Sequence, residues 1–230
     1  MSAENAGAFS AGGAITFGSA YAVPGLEFSV DAVEAAEHSA VPTLVFTLRI
    51  DAGEWEIRSL ALNVQLRIDA VRRAYDDAER VGLFELFGAS RDWGRSLRGL
   101  RWTTASLNVP GFAGATTVEL SVPCTYDFDV VATKYLHAVS GGEVPLELLF
   151  SGTVFFAGPD GRLQVAHIPW DRDARCDLPV RVWREAVERA FPGTAWLRVR
   201  RDIFDRLQAY KSRRALLTWD AALEELLNDD

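Results

Sequence analysis

The stretch Leu60-Ala61-Leu62-Asn63-Val64-Gln65-Leu66-Arg67-Ile68 decides the fold class. Leu60, Leu62, Val64, Leu66 and Ile68 alternate with Ala61, Asn63, Gln65 and Arg67, the period of two of a half-buried strand. The same alternation appears upstream. Leu44, Phe46, Leu48 and Ile50 share one face, and Leu26, Phe28 and Val30 alternate with Glu27, Ser29 and Asp31. Ala52-Gly53 predicts a turn between the second and third of these runs. Downstream, Val118, Leu120 and Val122 form a strand pattern, as do Tyr126, Phe128 and Val130, with Pro123 marking an edge or bulge between them. Ser140-Gly141-Gly142 turns the chain into Val144 to Phe156, and Gly158-Pro159-Asp160-Gly161 turns it into Leu163 to Ile168. The segment from Ala132 to Val139 fits neither pattern cleanly. Strands with turns at this spacing predict an antiparallel β-sandwich or a strongly bent antiparallel sheet.

Two segments depart from the strand period. Residues 71 to 88 carry Arg72, Arg73, Tyr75, Asp76 and Asp77 ahead of Leu83-Phe84-Glu85-Leu86-Phe87-Gly88, which predicts a short helical insertion ended by glycine. A connection with Trp93 and Trp102 follows and reads as an irregular cover over the core. Beyond residue 170 the spacing turns helical. A helix begins at Asp177 and Pro179 and stops at Pro192-Gly193; a second uses Ile203, Phe204, Leu207 and Tyr210; a third takes Thr218 as its cap. The predicted class is α+β: an arm over 1–24, a β-rich body over 25–170, and a three-helix tail over 171–230 packed on the body as one domain.

Composition narrows the function classes. The 230 residues are 49% hydrophobic and 24% charged, enough for a core without disulfides or metal. Of 24 basic residues only Lys134 and Lys211 are lysine, a bias that a GC-rich genome explains more simply than selection for anion binding. Cys124 and Cys176 lie far apart without paired spacing and read as free thiols. No export signal or membrane-spanning run is visible, so a cytoplasmic protein is expected. Residues 172 to 214 hold 12 basic against 6 acidic residues, although the whole chain carries −8. Interleaved acids and the absence of a binding motif argue against nucleic acid. A docking face for an acidic partner, or pairing with the acidic body, explains the asymmetry better.

Nucleophile elbows, phosphate loops, zinc helices and dinucleotide fingerprints are absent. An enzyme would have to assemble scattered residues, and the candidates are Cys124 as nucleophile, His137 as base and Asp127. Calcium is the metal alternative, through Asp171, Asp173 and Asp177 or through Asp127 and Asp129, although solvated strand faces and helix caps explain these acids equally well. His38, His137 and His167 each stand alone, and His167 reads as a packed histidine on a strand. For contacts with a partner, Trp93, Trp102, Arg213 and Arg214 are the candidates, because aromatic residues and arginine dominate binding hot spots.

A set of short strings runs in order along the chain: Leu86-Phe87-Gly88 with Trp93, Val109-Pro110-Gly111-Phe112, Pro123-Cys124-Thr125-Tyr126-Asp127-Phe128, Lys134-Tyr135, Pro145-Leu146 and Phe150-Ser151-Gly152-Thr153-Val154-Phe155. It continues with Pro169-Trp170-Asp171, Leu178-Pro179-Val180 with Trp183, Phe191-Pro192, Trp196-Leu197 and Thr218-Trp219-Asp220. From about Leu26 to Leu227 the chain resembles an uncharacterised actinobacterial family, domain of unknown function 6084. The resemblance brings no catalytic residues to carry over. The family's genes often neighbour nickel-iron hydrogenase genes, which implies an accessory or assembly role. The clustered cysteines of a nickel or iron site are not present, so no cofactor is predicted. The preferred reading is a non-catalytic protein that holds a protein partner; the alternatives are the scattered Cys/His/Asp enzyme and a chaperone-like module binding unfolded segments.

Overall fold

The computed structural model describes residues 23–124, 130–195 and 197–228. Its frame is two long antiparallel strands, β2 (Thr43–Ile68) and β3 (Leu100–Pro123), paired from Thr43 opposite Pro123 to Ile68 opposite Leu100. The other edge of β2 is shared by β1 (Glu27–Ala35) along its first half and β4 (Glu143–Ala157) along its second. Beyond β4, β5 (Leu163–His167) covers Thr153 to Ala157, and β6 (Asp173–Pro179) covers Glu143 to Leu149. All pairings in this six-stranded sheet are antiparallel.

The sheet bends where β2 changes neighbour. Asp51 faces Ala115 but Glu56 faces Ala113, so β2 carries residues that β3 does not match, a bulge that adds local twist. Gly53 (φ 59°) and Gly114 (φ 71°) occupy this point on the two strands in a conformation that side chains resist. The Gly53 N–H donates to Asp51 Oδ1 at 2.8 Å. The turn expected at Ala52-Gly53 is therefore a bulge inside one strand, because β3 runs alongside without a break and holds both halves in register.

The bend brings the two halves of the sheet onto one core. Leu44, Phe46, Leu48 and Ile50 before the bulge, and Leu60, Leu62, Val64, Leu66 and Ile68 after it, are all buried in a single cluster. Each such side chain contributes about 1.5–3 kcal/mol by leaving water. Across the core, Phe28 of β1 stacks on Phe150 of β4 with ring centres 4.1 Å apart and planes within 11°.

The helices differ from the expected pattern in detail. After β2 come a short 3-10 turn at Ala70–Arg72, α1 (Asp77–Gly82) and α2 (Phe84–Phe87), ended by Gly88 at φ 73°. A third short helix, α3 (Trp93–Ser96), lengthens the insertion. Trp102, expected in irregular structure, lies within β3, because pairing with β2 overrides the weak alternation of this segment. The ambiguous segment becomes α4 (Val131–Ala138), and the strand expected at Tyr126 and Phe128 falls outside the described residues. Asp177 belongs to β6, where it pairs with Pro145, so the next helix, α5 (Val180–Ala190), starts later than expected. α5 packs on β1, β2 and β6. The last two helices, α6 (Arg201–Arg213) and α7 (Trp219–Asn228), form a hairpin, and Thr218 caps α7 by accepting from the Ala221 N–H at 3.1 Å. No helix among the described residues is long and apolar enough to cross a membrane.

Candidate functional site

The most organised polar centre lies between the insertion and the loop that enters β4. Asp76 and Glu79 form a capping box: Asp76 Oδ1 accepts from the Glu79 N–H at 2.8 Å, and Glu79 Oε2 accepts from the Asp76 N–H at 3.3 Å. The same carboxylate then turns inward. Glu79 Oε1 accepts from Arg73 at 2.5 Å, from the Ser140 N–H at 2.7 Å and from Ser140 Oγ at 3.1 Å. Arg73 also donates to the carbonyls of Gly141 at 2.7 Å and Glu143 at 3.1 Å. Only 9% of the Arg73 side chain and 4% of that of Glu79 remain exposed, so both charges have exchanged water for these contacts. Within this cluster the buried Arg73 Nε has no hydrogen-bond partner.

An aromatic cluster adjoins the pair. The hydroxyls of Tyr75 and Tyr135 lie 2.7 Å apart, and Tyr75 Oη donates to the Ala70 carbonyl at 2.7 Å. Trp93 meets Tyr75 edge to face at 5.2 Å and Phe87 at 6.0 Å, and its Nε1 donates to the Gly88 carbonyl at 3.1 Å. Burial drives the phenols of Tyr75 and Tyr135 upward from their ordinary value. Both stay protonated at neutral pH and serve as hydrogen-bonding groups that fasten the insertion to α4.

Of the expected reactive residues, Cys124 directly follows β3 and His137 lies on α4. Cys124 is buried, and desolvation pushes its thiol up to about 12; Sγ is spent on the Val122 carbonyl at 3.7 Å. A thiol held protonated lacks the thiolate that nucleophilic attack requires. His137, on the exposed side of α4, meets Trp183 of α5 edge to face at 4.7 Å, and desolvation followed by the Arg184 charge lowers its pKa. Asp127 and Asp129 lie outside the described residues. Asp171 is exposed and pairs with Arg172 at 3.9 Å, while Asp173 and Asp177 are exposed along β6. Among the described residues no three His, Cys, Asp or Glu side chains gather as a metal site. Cys176 is a free thiol that burial also raises to about 12.

The candidate contact residues divide. Trp93 and Trp102 are half-buried and pack against the core. Arg213 and Arg214 are exposed on the hairpin, where Arg214 pairs with Glu225 and lies 5.9 Å over the Tyr210 ring. Among the described residues the most exposed tryptophan is a different one. Trp170, between β5 and β6, is 93% exposed. It follows Leu163, Val165 and His167, which face outward along β5 instead of packing inward as expected for His167. Sequence reasoning missed both this residue and the Arg73–Glu79 pair. The Asp76-x-x-Glu79 capping box is the signal that marks the pair; Trp170 is marked only by its place in the turn that follows Pro169.

Fold and site together define an open, bent antiparallel sheet capped by helices, with its buried charges neutralised by its own side chains. The chain belongs to a family of unknown function, DUF6084, whose profile matches residues 23–230. No curated protein matches it significantly. Among solved structures it is similar to a protein described as late embryogenesis abundant (LEA), at 12% identity and TM-score 0.31 over 68% of this chain and 72% of that one. It is also similar to a β-glucosidase from Kluyveromyces marxianus, at 6% identity and TM-score 0.25 over 68% of this chain but 15% of that one. A β-glucosidase 3B from Thermotoga neapolitana gives 9% identity and TM-score 0.24 over 66% and 16% of the two chains. Likenesses of this size carry no argument about activity.

Proposed function

We propose that this chain is a non-catalytic binding or assembly protein whose body holds a protein partner at the outer side of the sheet. The observation that carries the reading is Trp170, 93% exposed beside a strand that also turns Leu163 (63%) and Val165 (58%) to solvent. A tryptophan so exposed, with aliphatic neighbours along the chain, is the composition of an interface centre and is unusual on a surface without a partner. The burial that raises the Cys124 thiol weighs in the same direction, since the enzyme alternative needs a thiolate. A cytoplasmic, actinobacterial setting and an accessory role beside nickel-iron hydrogenase remain part of this proposal.

The test is affinity capture from the native cell with wild-type chain and with Trp170→Ala as baits, read by mass spectrometry. A defined protein retained by the wild type and lost with W170A, at unchanged melting temperature, supports the reading. Equal retention by both baits refutes the placement at Trp170, and hydrogenase subunits among the differential proteins support the accessory role.

A further inference from the structure

The α6–α7 hairpin is built like half of a larger bundle. The two helices touch through Phe204 and Trp219, whose rings lie 5.4 Å apart, through Lys211 set 5.4 Å over the Trp219 ring, and through the Arg214–Glu225 pair. These contacts leave much of the apolar surface uncovered. Trp219, Leu223 and Leu226 are 37–41% exposed, Leu227 is 76% and Leu217 is 92% exposed, and only Ala222 of α7 is buried. Ile203, Leu207, Tyr210 and Leu226 line a groove of about 440 Å³ between the helices, with Arg206 and Arg213 among its lining residues.

The charges indicate what fills it. α6 bears Arg201, Arg206, Lys211 and Arg213 against Asp202 and Asp205, whereas α7 bears Asp220, Glu224 and Glu225 and no basic residue. Arg201 is already paired with Asp205, and Glu225 with Arg214. Arg206 and Arg213 on α6, and Asp220 and Glu224 on α7, make no ion pair among the described residues. One chain thus presents an unpaired cationic row on one helix and an unpaired anionic row on the next. A two-fold axis would set α6 of one chain against α7 of the other, matching both rows at once and bringing the uncovered leucines together. A partner of uniform charge would satisfy one row and repel the other.

We propose that the hairpin is the seat of a symmetric dimer, in which the hairpin of a second copy of this chain packs into the groove to complete a four-helix bundle. This inference is independent of the surface around Trp170, so W170A dimerises like the wild type.

The experiment is sedimentation velocity on the full chain over a concentration series, with circular dichroism as the folding control. The wild type dimerises, whereas R206E/R213E and D220R/E224R each weaken the dimer by at least about tenfold, since each reversed charge meets a like charge twice in a two-fold interface. An equimolar mixture of the two variants recovers the dimer, because each now complements the other. The chain carrying all four substitutions also recovers it, which separates lost complementarity from lost folding. A wild type that stays monomeric throughout, a variant that dimerises like the wild type, or a mixture that does not recover overturns the proposal.

Discussion

Removing the Glu79 carboxylate tests whether the insertion is held by its buried charge pair. Glu79→Ala deletes an acceptor that serves Arg73 at 2.5 Å and the Ser140 N–H at 2.7 Å, as well as half of the α1 capping box. Arg73 keeps two carbonyl contacts, but its guanidinium, 9% exposed, loses its counter-charge. Breaking a buried pair from one side costs about 3–5 kcal/mol, a large share of the roughly 5–15 kcal/mol that holds a domain of this kind. Glu79→Gln keeps an acceptor oxygen but not the charge, and costs less, about 1–3 kcal/mol. The double substitution Arg73→Met with Glu79→Leu removes both charges and regains most of the loss, because desolvation no longer opposes burial. Urea denaturation followed by tryptophan fluorescence measures all three, provided the slopes agree. A loss below about 1 kcal/mol for E79A, or a double variant as damaged as the single one, refutes the reasoning.

Other outcomes follow from particular contacts. Gly152 sits at φ 143°, and a Cβ there would meet the Ala61 carbonyl oxygen at 2.0 Å, so Gly152→Ala costs about 3 kcal/mol or more and loosens the β2–β4 pairing, visible as faster amide exchange there. Tyr75→Phe breaks the bonds to Ala70 and Tyr135 and costs about 1–3 kcal/mol in the same denaturation assay. The Cys124 thiol keeps its proton up to about 12 when folded, while in the unfolded chain it loses it near 8.5. Its contribution is full below the unfolded value and declines as pH rises toward 12; Cys124→Ala flattens part of that alkaline decline. His137 behaves in the opposite sense. Its folded pKa is lowered, so stability is full above the unfolded value near 6.5 and falls as pH drops through it; His137→Gln removes that acid decline, measured as melting temperature against pH.

Much of the fold was legible because side-chain alternation needs no tertiary information. Leu60 to Ile68 and Leu44 to Ile50 lie where their period places them, and Thr218 and Gly88 mark the helix ends they were expected to mark. The errors arose where pairing overrode local preference. Nothing in Ala52-Gly53 tells a turn from a bulge, because the difference lies in whether β3 continues alongside, a fact fixed some sixty residues later at Gly114. Trp102 and the segment through Val109-Pro110 alternate weakly, since β3 is an edge strand whose inner face is only half covered. The site was less legible still. Searching for rare reactive residues led to Cys124 and His137, whereas the organised polar centre uses Arg73 and Glu79, types too common to stand out.

That difference bears on where the function lies. The reactive side chains are committed internally: Cys124 is desolvated, Tyr75 and Tyr135 bond each other, and the Arg73–Glu79 pair clamps two loops. Among the described residues the two most exposed large apolar side chains are Trp170 and Leu217, the latter on the α6–α7 hairpin. The two surfaces make separable demands. If the hairpin only pairs two copies, R206E/R213E yields a monomer that still captures the partner through Trp170. If capture also fails, the partner needs two copies of the Trp170 surface at once, since linked sites raise avidity without any new contact. Dimer formation and partner capture, measured on the same variants, therefore reveal whether assembly of this chain is a condition for its binding.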